Sequence, residues 1–409
     1  MRIFLIIGIC LTTIGLNAQK LLLMGADSSF RSAAVMITLE GEGEIRSNTI
    51  QNAFLDKLVF GGHIDRGLID AQEKHMNDVN MLGGNFRGNL TMRLMSDSLF
   101  RNPNWSWQVT MGSRTLLETT FSKDLFHLAF TGNADFLDEY AFLSSTGLLL
   151  TNYQKLGGGI FHKESLSGFT VSVVNGQSFD AFNLELGRLF TSAEGDSLSF
   201  SYLTSSTRSD TSVSGLGSGP GIGMAFDGVL NFKQGEDGYI QLALHDFGFV
   251  SWNNATLVGN NEGTMNWTGL ELTDILNDDS TLPSFNDSLT INEKPGSTKR
   301  WLPGSFDARI MRKVGQSAFY EIGFAIRPVI AYNPMLFAGY HHNFNEKTLV
   351  GATGTYGGYG RLRFGLSVEH LFGKSVYLAI GTSDVYGAAS GKGYGRDAYL
   401  KVNYSIFRK

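Results

Sequence analysis

Asp397-Ala-Tyr-Leu-Lys-Val-Asn-Tyr-Ser-Ile-Phe407 is the last long alternating stretch of the chain. In an extended strand, Ala398, Leu400, Val402, Tyr404 and Ile406 share one face, with Tyr399, Lys401, Asn403 and Ser405 opposite. One face is apolar and the other polar. A soluble sheet would bury the apolar face in a core. The same pattern recurs along most of this chain with no amphipathic helices to cover it, so the apolar face is read as meeting lipid. A closing amphipathic strand that ends on an aromatic residue fits a transmembrane β-barrel.

Working outward, the cleanest companion is Arg361-Leu-Arg-Phe-Gly-Leu-Ser-Val-Glu-His370, with Leu362, Phe364, Leu366 and Val368 on one side. Further strands are expected at 32–40, around Leu90, around Trp105–Met111, and at 147–162, 168–174, 179–190, 197–204, 221–233, 238–252, 305–313, 318–330, 335–344, 349–356 and 375–383. Short connections include Lys163-Glu-Ser165, Ala193-Glu-Gly-Asp196, Gln234-Gly-Glu-Asp237 and Phe372-Gly-Lys374. The long ones, 42–80, 118–141, 207–220, 253–300 and 384–395, alternate with them. Short turns at one end and long loops at the other are the habit of outer-membrane barrels. The expected fold is an all-β, antiparallel up-and-down transmembrane barrel of about 16 strands. The alternative is about 14, with an N-terminal plug. Residues 42–80 are either that plug or an outer loop, and 253–300 a long extracellular loop.

Composition agrees. Glycine accounts for 50 of 409 residues, aromatics for 12% and proline for only 7 residues, a balance suited to strands and tight turns. Charged residues, at 17%, fall below the roughly 25% of soluble domains. A mean hydropathy of −0.05 is near neutral because each strand is only half apolar. A net charge of −5 with no basic block argues against nucleic acid as a partner.

The chain opens with Arg2, an apolar run from Ile3 to about Leu16, and Asn17-Ala18-Gln19. This is the layout of a secretory signal peptide over 1–18, leaving 19–409 as a single barrel domain in the outer membrane. The run is short for a spanning helix, which needs about 20 residues. Cys10 is the only cysteine, so the mature chain has no disulfide and no thiolate metal site.

Neither a catalytic constellation nor a cofactor motif emerges. No His-x-x-x-His spacing occurs, so no metal site is expected. His341-His342 reads as lumenal or solvent-exposed. His245 and Asp246 are strand neighbours, expected to point to opposite faces. Gly215-Leu-Gly-Ser-Gly-Pro-Gly-Ile-Gly223 lacks the Lys-Ser/Thr of a phosphate loop and enters a strand rather than a helix. With apolar faces outward, the lumen is expected to be lined by Asp227, Asp307, Arg309, Glu321, Arg327, Arg361, Arg363, Glu369 and Lys401. Such charges either brace a filled interior, the favoured reading, or line an aqueous path. Trp105, Trp107, Trp252 and Trp301 sit near strand ends, where interfacial aromatics belong.

Four segments carry a family resemblance: Asp124-Leu-Phe-His-Leu-Ala-Phe-Thr-Gly-Asn133, Gly219-Pro-Gly-Ile-Gly-Met-Ala-Phe-Asp-Gly228, Leu244-His-Asp-Phe-Gly-Phe-Val-Ser251-Trp252 and Arg300-Trp-Leu-Pro-Gly-Ser-Phe-Asp307. Together they resemble Bacteroidetes-type outer-membrane barrels of unknown function. These are distantly similar to FadL-type transport barrels and PorV-like barrels of type IX secretion. The resemblance implies an outer-membrane barrel with an N-terminal lumenal plug, and supplies no catalytic residue. The expected role is a non-enzymatic structural or accessory component of an envelope, secretion or motility assembly, contacting lipid and, through its long loops, a protein partner. The alternative is a FadL-like or porin-like transporter of a small or hydrophobic solute.

Overall fold

The computed structural model describes residues 33–95, 98–99, 101–212, 215–268 and 292–407. The expected signal peptide lies outside these residues. No helix among them is long and apolar enough to cross a membrane.

Among the described residues, nineteen strands form one antiparallel sheet, and fourteen of them close it into a barrel. The barrel path runs β1 (Val35–Ser47), β2 (Val79–Leu94), β3 (Trp105–Ser122), β5 (Thr146–His162), β6 (Gly168–Thr191), β8 (Gly221–Gln234) and β9 (Gly238–Trp252). It continues through β13 (Ser305–Val314), β14 (Ala318–Ile326), β15 (Asn333–Asn345), β16 (Thr348–Gly358), β17 (Arg363–Phe372), β18 (Val376–Thr382) and β19 (Gly395–Ile406). β19 then pairs with β1, from Val35 opposite Ile406 to Arg46 opposite Gly395. Alternation builds this wall: outward residues such as Leu156, Val173, Ile322, Leu336 and Phe364 are exposed, while Lys401, Asn403 and Ser405 of the closing strand are buried.

The count matches the lower expectation, but the strands that drop out are not N-terminal. β1 is a full wall strand. It runs on to Ser47 because Glu40, Glu42, Glu44 and Arg46 alternate with Gly41, Gly43 and Ile45. The expected strands 168–174 and 179–190 are one continuous strand, β6. Only its first part pairs with β8, Gly168 to Gly176. Its far part pairs with β7 (Ser197–Arg208), which pairs with β10 (Leu257–Thr268). The short strands β4 (Glu139–Phe142), β11 (Lys294–Pro295) and β12 (Thr298–Trp301) complete this side sheet and the adjoining wall. Ala193–Asp196 is therefore the tip of a projection at the long-loop end, not a membrane-edge turn. The greasy alternation of Phe200 and Tyr202 serves a cluster with Ala141, Leu143 and Leu184 inside the projection.

Residues 48–78 lie between the long-loop ends of β1 and β2. They carry α1 (Asn52–Phe60) and α2 (Arg66–Glu73). With α3 (Lys123–Thr131), these helices share a core of Ile50, Phe54, Leu55, Ile69 and Phe126. Asp65 and Ser122 cap α2 and α3 by accepting from the Leu68 and Leu125 amides. The cap is tied to α4 (Val385–Ala389) and the start of β19: Asn52 Nδ2 donates to the Gly387 carbonyl at 2.8 Å, and Arg396 pairs with Asp56 at 2.8 Å.

Candidate functional site: a charged lumen sealed at both ends

Inward positions of a barrel wall meet each other across the lumen, so polar residues there must find partners or water. Here they find each other. At mid-height a chain of contacts crosses the barrel. Glu42 accepts from Arg87 (2.7 Å) and from Asn85 (2.8 Å), and Asn85 in turn accepts from Arg114 (2.9 Å). Arg114 reaches over to Asp246 on β9 (2.8 Å) and to the Pro303 carbonyl (2.9 Å). Lys155 of β5 bridges Asp246 (2.5 Å) and Asp227 of β8 (2.8 Å). All but Arg87 and Asp227 are buried.

Asp246 gains this position through backbone geometry. Its φ of 54° and the register shift between Phe226 and Gly228 mark a bulge in the β8–β9 ladder. The bulge brings His245 and Asp246 both to the lumenal side, correcting the expectation of opposite faces. His245 stands 3.9 Å from Asp227 and 3.7 Å from Asp307. The same bulge exchanges the faces downstream. Leu242 and Leu244 face outward, yet Trp252 is 2% exposed, packed inside with Tyr153, Phe179 and Leu302. Trp252 is thus a lumenal residue rather than a membrane-interface aromatic. Trp107 and Trp301 are exposed and Trp105 is half-buried against His162.

Toward the short-turn end lies a second set. Glu321 binds Arg309 (3.3 Å) and His341 (3.0 Å), Glu369 accepts from Tyr377 (2.6 Å), and Lys401 bonds Glu40. Below these, apolar side chains fill the mouth. Met311, Phe319, Leu349, Leu371 and Tyr377 form one cluster. Met36, Met95 and Phe161 form another, with Phe407 packed against it.

Toward the long-loop end, Arg46 holds Asp384 (2.8 Å) and Asp397 (3.2 Å). Arg363 is buried and donates to Ser383 and to the Gly357 carbonyl. Arg361, two residues earlier, precedes the strand and is exposed on the rim, where it donates to the Asn48 carbonyl. It is not a lumen-lining residue, and the pair makes no shared cationic patch. The connections 327–332 and 359–362 fold inward as a lid. Ala331 and Tyr359 are fully buried against Leu116. The Tyr359 hydroxyl donates to Glu118 (2.5 Å) and accepts from Arg327 (2.6 Å). Gly83 makes room for that ring: a Cβ there would stand 2.2 Å from it.

Asp227, Asp307, Arg309, Glu321, Arg327, Arg363, Glu369 and Lys401 therefore all reach the interior. Glu40, Glu42, Glu44, Arg46, Arg87, Arg114, Glu118 and Lys155 escaped the sequence reading. Their signal was present in the charge-on-every-second-residue run of β1 and in the parity of β2, β3 and β5. Among the described residues no group of three or more His, Asp and Glu is arranged to hold a metal ion.

The profile described as "Family of unknown function (DUF5723)" matches residues 45–381. No curated protein matches the chain. Among solved structures, the ΔS2S3 mutant of the TodX monoaromatic hydrocarbon channel is similar at 9% identity and a TM-score of 0.43, over 97% of this chain and 94% of that one. The Pseudomonas putida toluene transporter TodX gives 10%, 0.39, 96% and 92%. A mutant of the Rh. blastica porin gives 11%, 0.24, 90% and 100%.

Proposed function

The chain belongs to that family of unknown function (DUF5723), and from its lumen we propose a gated outer-membrane transporter for small polar solutes, closed in the conformation described. The observation that supports this most is the ion-pair network that crosses the barrel between two apolar seals. Filling a barrel does not require charge. Buried ion pairs can be replaced by well-packed apolar residues at little cost, or with a gain, in stability. Ionisable residues at membrane depth mark solute or ion paths by default. A polar interior also disfavours the hydrophobic-solute version of the transport reading. The accessory role expected from the long 253–300 connection gains no support from the fold or the comparisons.

Proteoliposome flux tests the proposal. Wild-type protein should pass small polar solutes slowly. Tyr359→Ala, which removes the lid's link between Arg327 and Glu118, should speed their entry several-fold. Folded Tyr359→Ala protein in vesicles no leakier than protein-free ones would overturn it.

A further inference from the structure

Beneath the lid, the charged lumen leaves a cavity of about 50 Å³. That is room for roughly four waters, at ~10–15 Å³ each, or for one solute of about five or six non-hydrogen atoms, since bonded atoms sit closer together than separate waters. Its walls include Glu44, His245, Asp307, Arg327, Tyr332 and Met335.

Polar atoms of Asp307, Arg327 and His245 on this wall lack hydrogen-bond partners, and Glu44 has only a distant cation beside it. Glu44 is 6% exposed, and the nearest cationic atom to its carboxylate is Arg46 Nε at 4.0 Å. Asp307 is equally buried. Its Oδ2 accepts no hydrogen bond, and the Arg309 guanidinium lies 3.6 Å away. Of opposite character, Arg327 spends one nitrogen on Tyr359 while its buried Nε has no acceptor. His245 Nε2 is also buried without a hydrogen-bond partner. Buried polar atoms are ordinarily satisfied, and several left unpaired around one cavity point to a bound water, ion or solute there.

A lone cation would answer Glu44 and Asp307 but face Arg327. A lone anion would do the reverse. A small zwitterion answers both sets at once. We infer that this cavity binds a small α-amino acid of glycine or alanine size. Its ammonium group sits between Glu44 and Asp307, and its carboxylate meets Arg327 and His245. Ala325 and Met335 offer the apolar wall that one methyl group needs. This inference rests on the transport reading, whose solute class it names.

Calorimetric titration of the detergent-solubilised protein tests it, with glycine and alanine as ligands and acetate and methylammonium as the separate halves. Wild type and Tyr359→Ala are titrated in parallel, so that slow entry past the lid does not hide a site. Saturable binding of glycine or alanine in either, with both halves binding at least several-fold more weakly, is the expected result. Asp307→Asn and Arg327→Met should each abolish it while the barrel keeps its heat-modifiable migration, and Arg327→Lys should restore part of it. No saturable binding in either protein, or equal binding of one half alone, overturns the inference. Flux in the same Tyr359→Ala vesicles separates the two claims. Flux without binding sinks the site and leaves transport standing, and binding without flux does the reverse.

Discussion

Lys155→Met isolates the cost of the charge chain that crosses the lumen. Lys155 is buried and bonds two carboxylates, Asp227 at 2.8 Å and Asp246 at 2.5 Å. Removing one member of a buried pair costs about 3–5 kcal/mol, chiefly because a charge is left behind. Here the damage is uneven. Asp246 keeps Arg114 at 2.8 Å, whereas Asp227, whose side chain is 19% exposed, keeps the Asp246 backbone amide at 3.0 Å and His245 at 3.9 Å but no full cation. The expected loss is therefore near the lower end, about 3 kcal/mol. Adding Asp227→Asn removes the stranded charge and should return about 2 kcal/mol, a coupling within the range for residues in one network. Urea unfolding from lipid vesicles, followed by tryptophan fluorescence, reads both variants. A single-mutant loss below about 1 kcal/mol, or a double mutant as unstable as the sum of the two singles, would refute the view that the network is held by mutual neutralisation.

Gly83→Ala should drive the Tyr359 ring off Glu118 and cost about 1–3 kcal/mol, as overpacking does; a Tyr359→Ala background that abolishes the effect checks the contact. Single-tryptophan variants should divide sharply with bromine-labelled lipid chains: Trp107, 47% exposed on the outer face, is quenched, and Trp252, 2% exposed, is not. His127 joins α3 to Glu73 of α2 (2.7 Å) and to Asp135 (2.8 Å). Burial works against its charged form, but the bonds to Glu73 and then Asp135 outweigh burial and raise its pKa. A raised folded pKa means that this stabilisation is complete below the ordinary value of about 6.5 and fades as pH rises through the higher one. Amide exchange across 123–131 should accelerate from pH 5.5 to 8.5 beyond the intrinsic chemical trend, and His127→Gln should remove that excess; an unchanged excess would show that the ring does not clamp the cap.

Most of the wall was legible because a period of two survives in nearly every strand. What the period cannot tell is which apolar environment the greasy face meets. Phe179–Phe190 and Ser197–Thr204 alternate as a membrane hairpin would, yet half of that pattern packs within the projecting sheet. β1 was cut short in the reading because glycine at 41 and 43 supplies no hydrophobic beat, although the charges between them keep strict parity. Trp252 and the His245–Asp246 pair were misplaced by one event, the bulge at Asp246, which exchanges inside and outside for the rest of β9. The charge network crosses the lumen between strands distant in sequence, such as Arg114 and Asp246, and no local pattern joins them.

The pairing of β1 with β19 also fixes an order of events. Val35 and Ile406 are register partners, so the barrel stays open until β19 has been delivered. The salt bridges across that join, Lys401 with Glu40 and Arg46 with Asp397, cannot form earlier. Until then Glu40 and Arg46 remain without these partners, on an edge that still exposes unpaired backbone. A chain truncated before Asp397 would lose that ladder and both bridges together. Closure of the wall therefore waits on the delivery of a single strand, β19, whose backbone ladder and ion pairs with β1 form together.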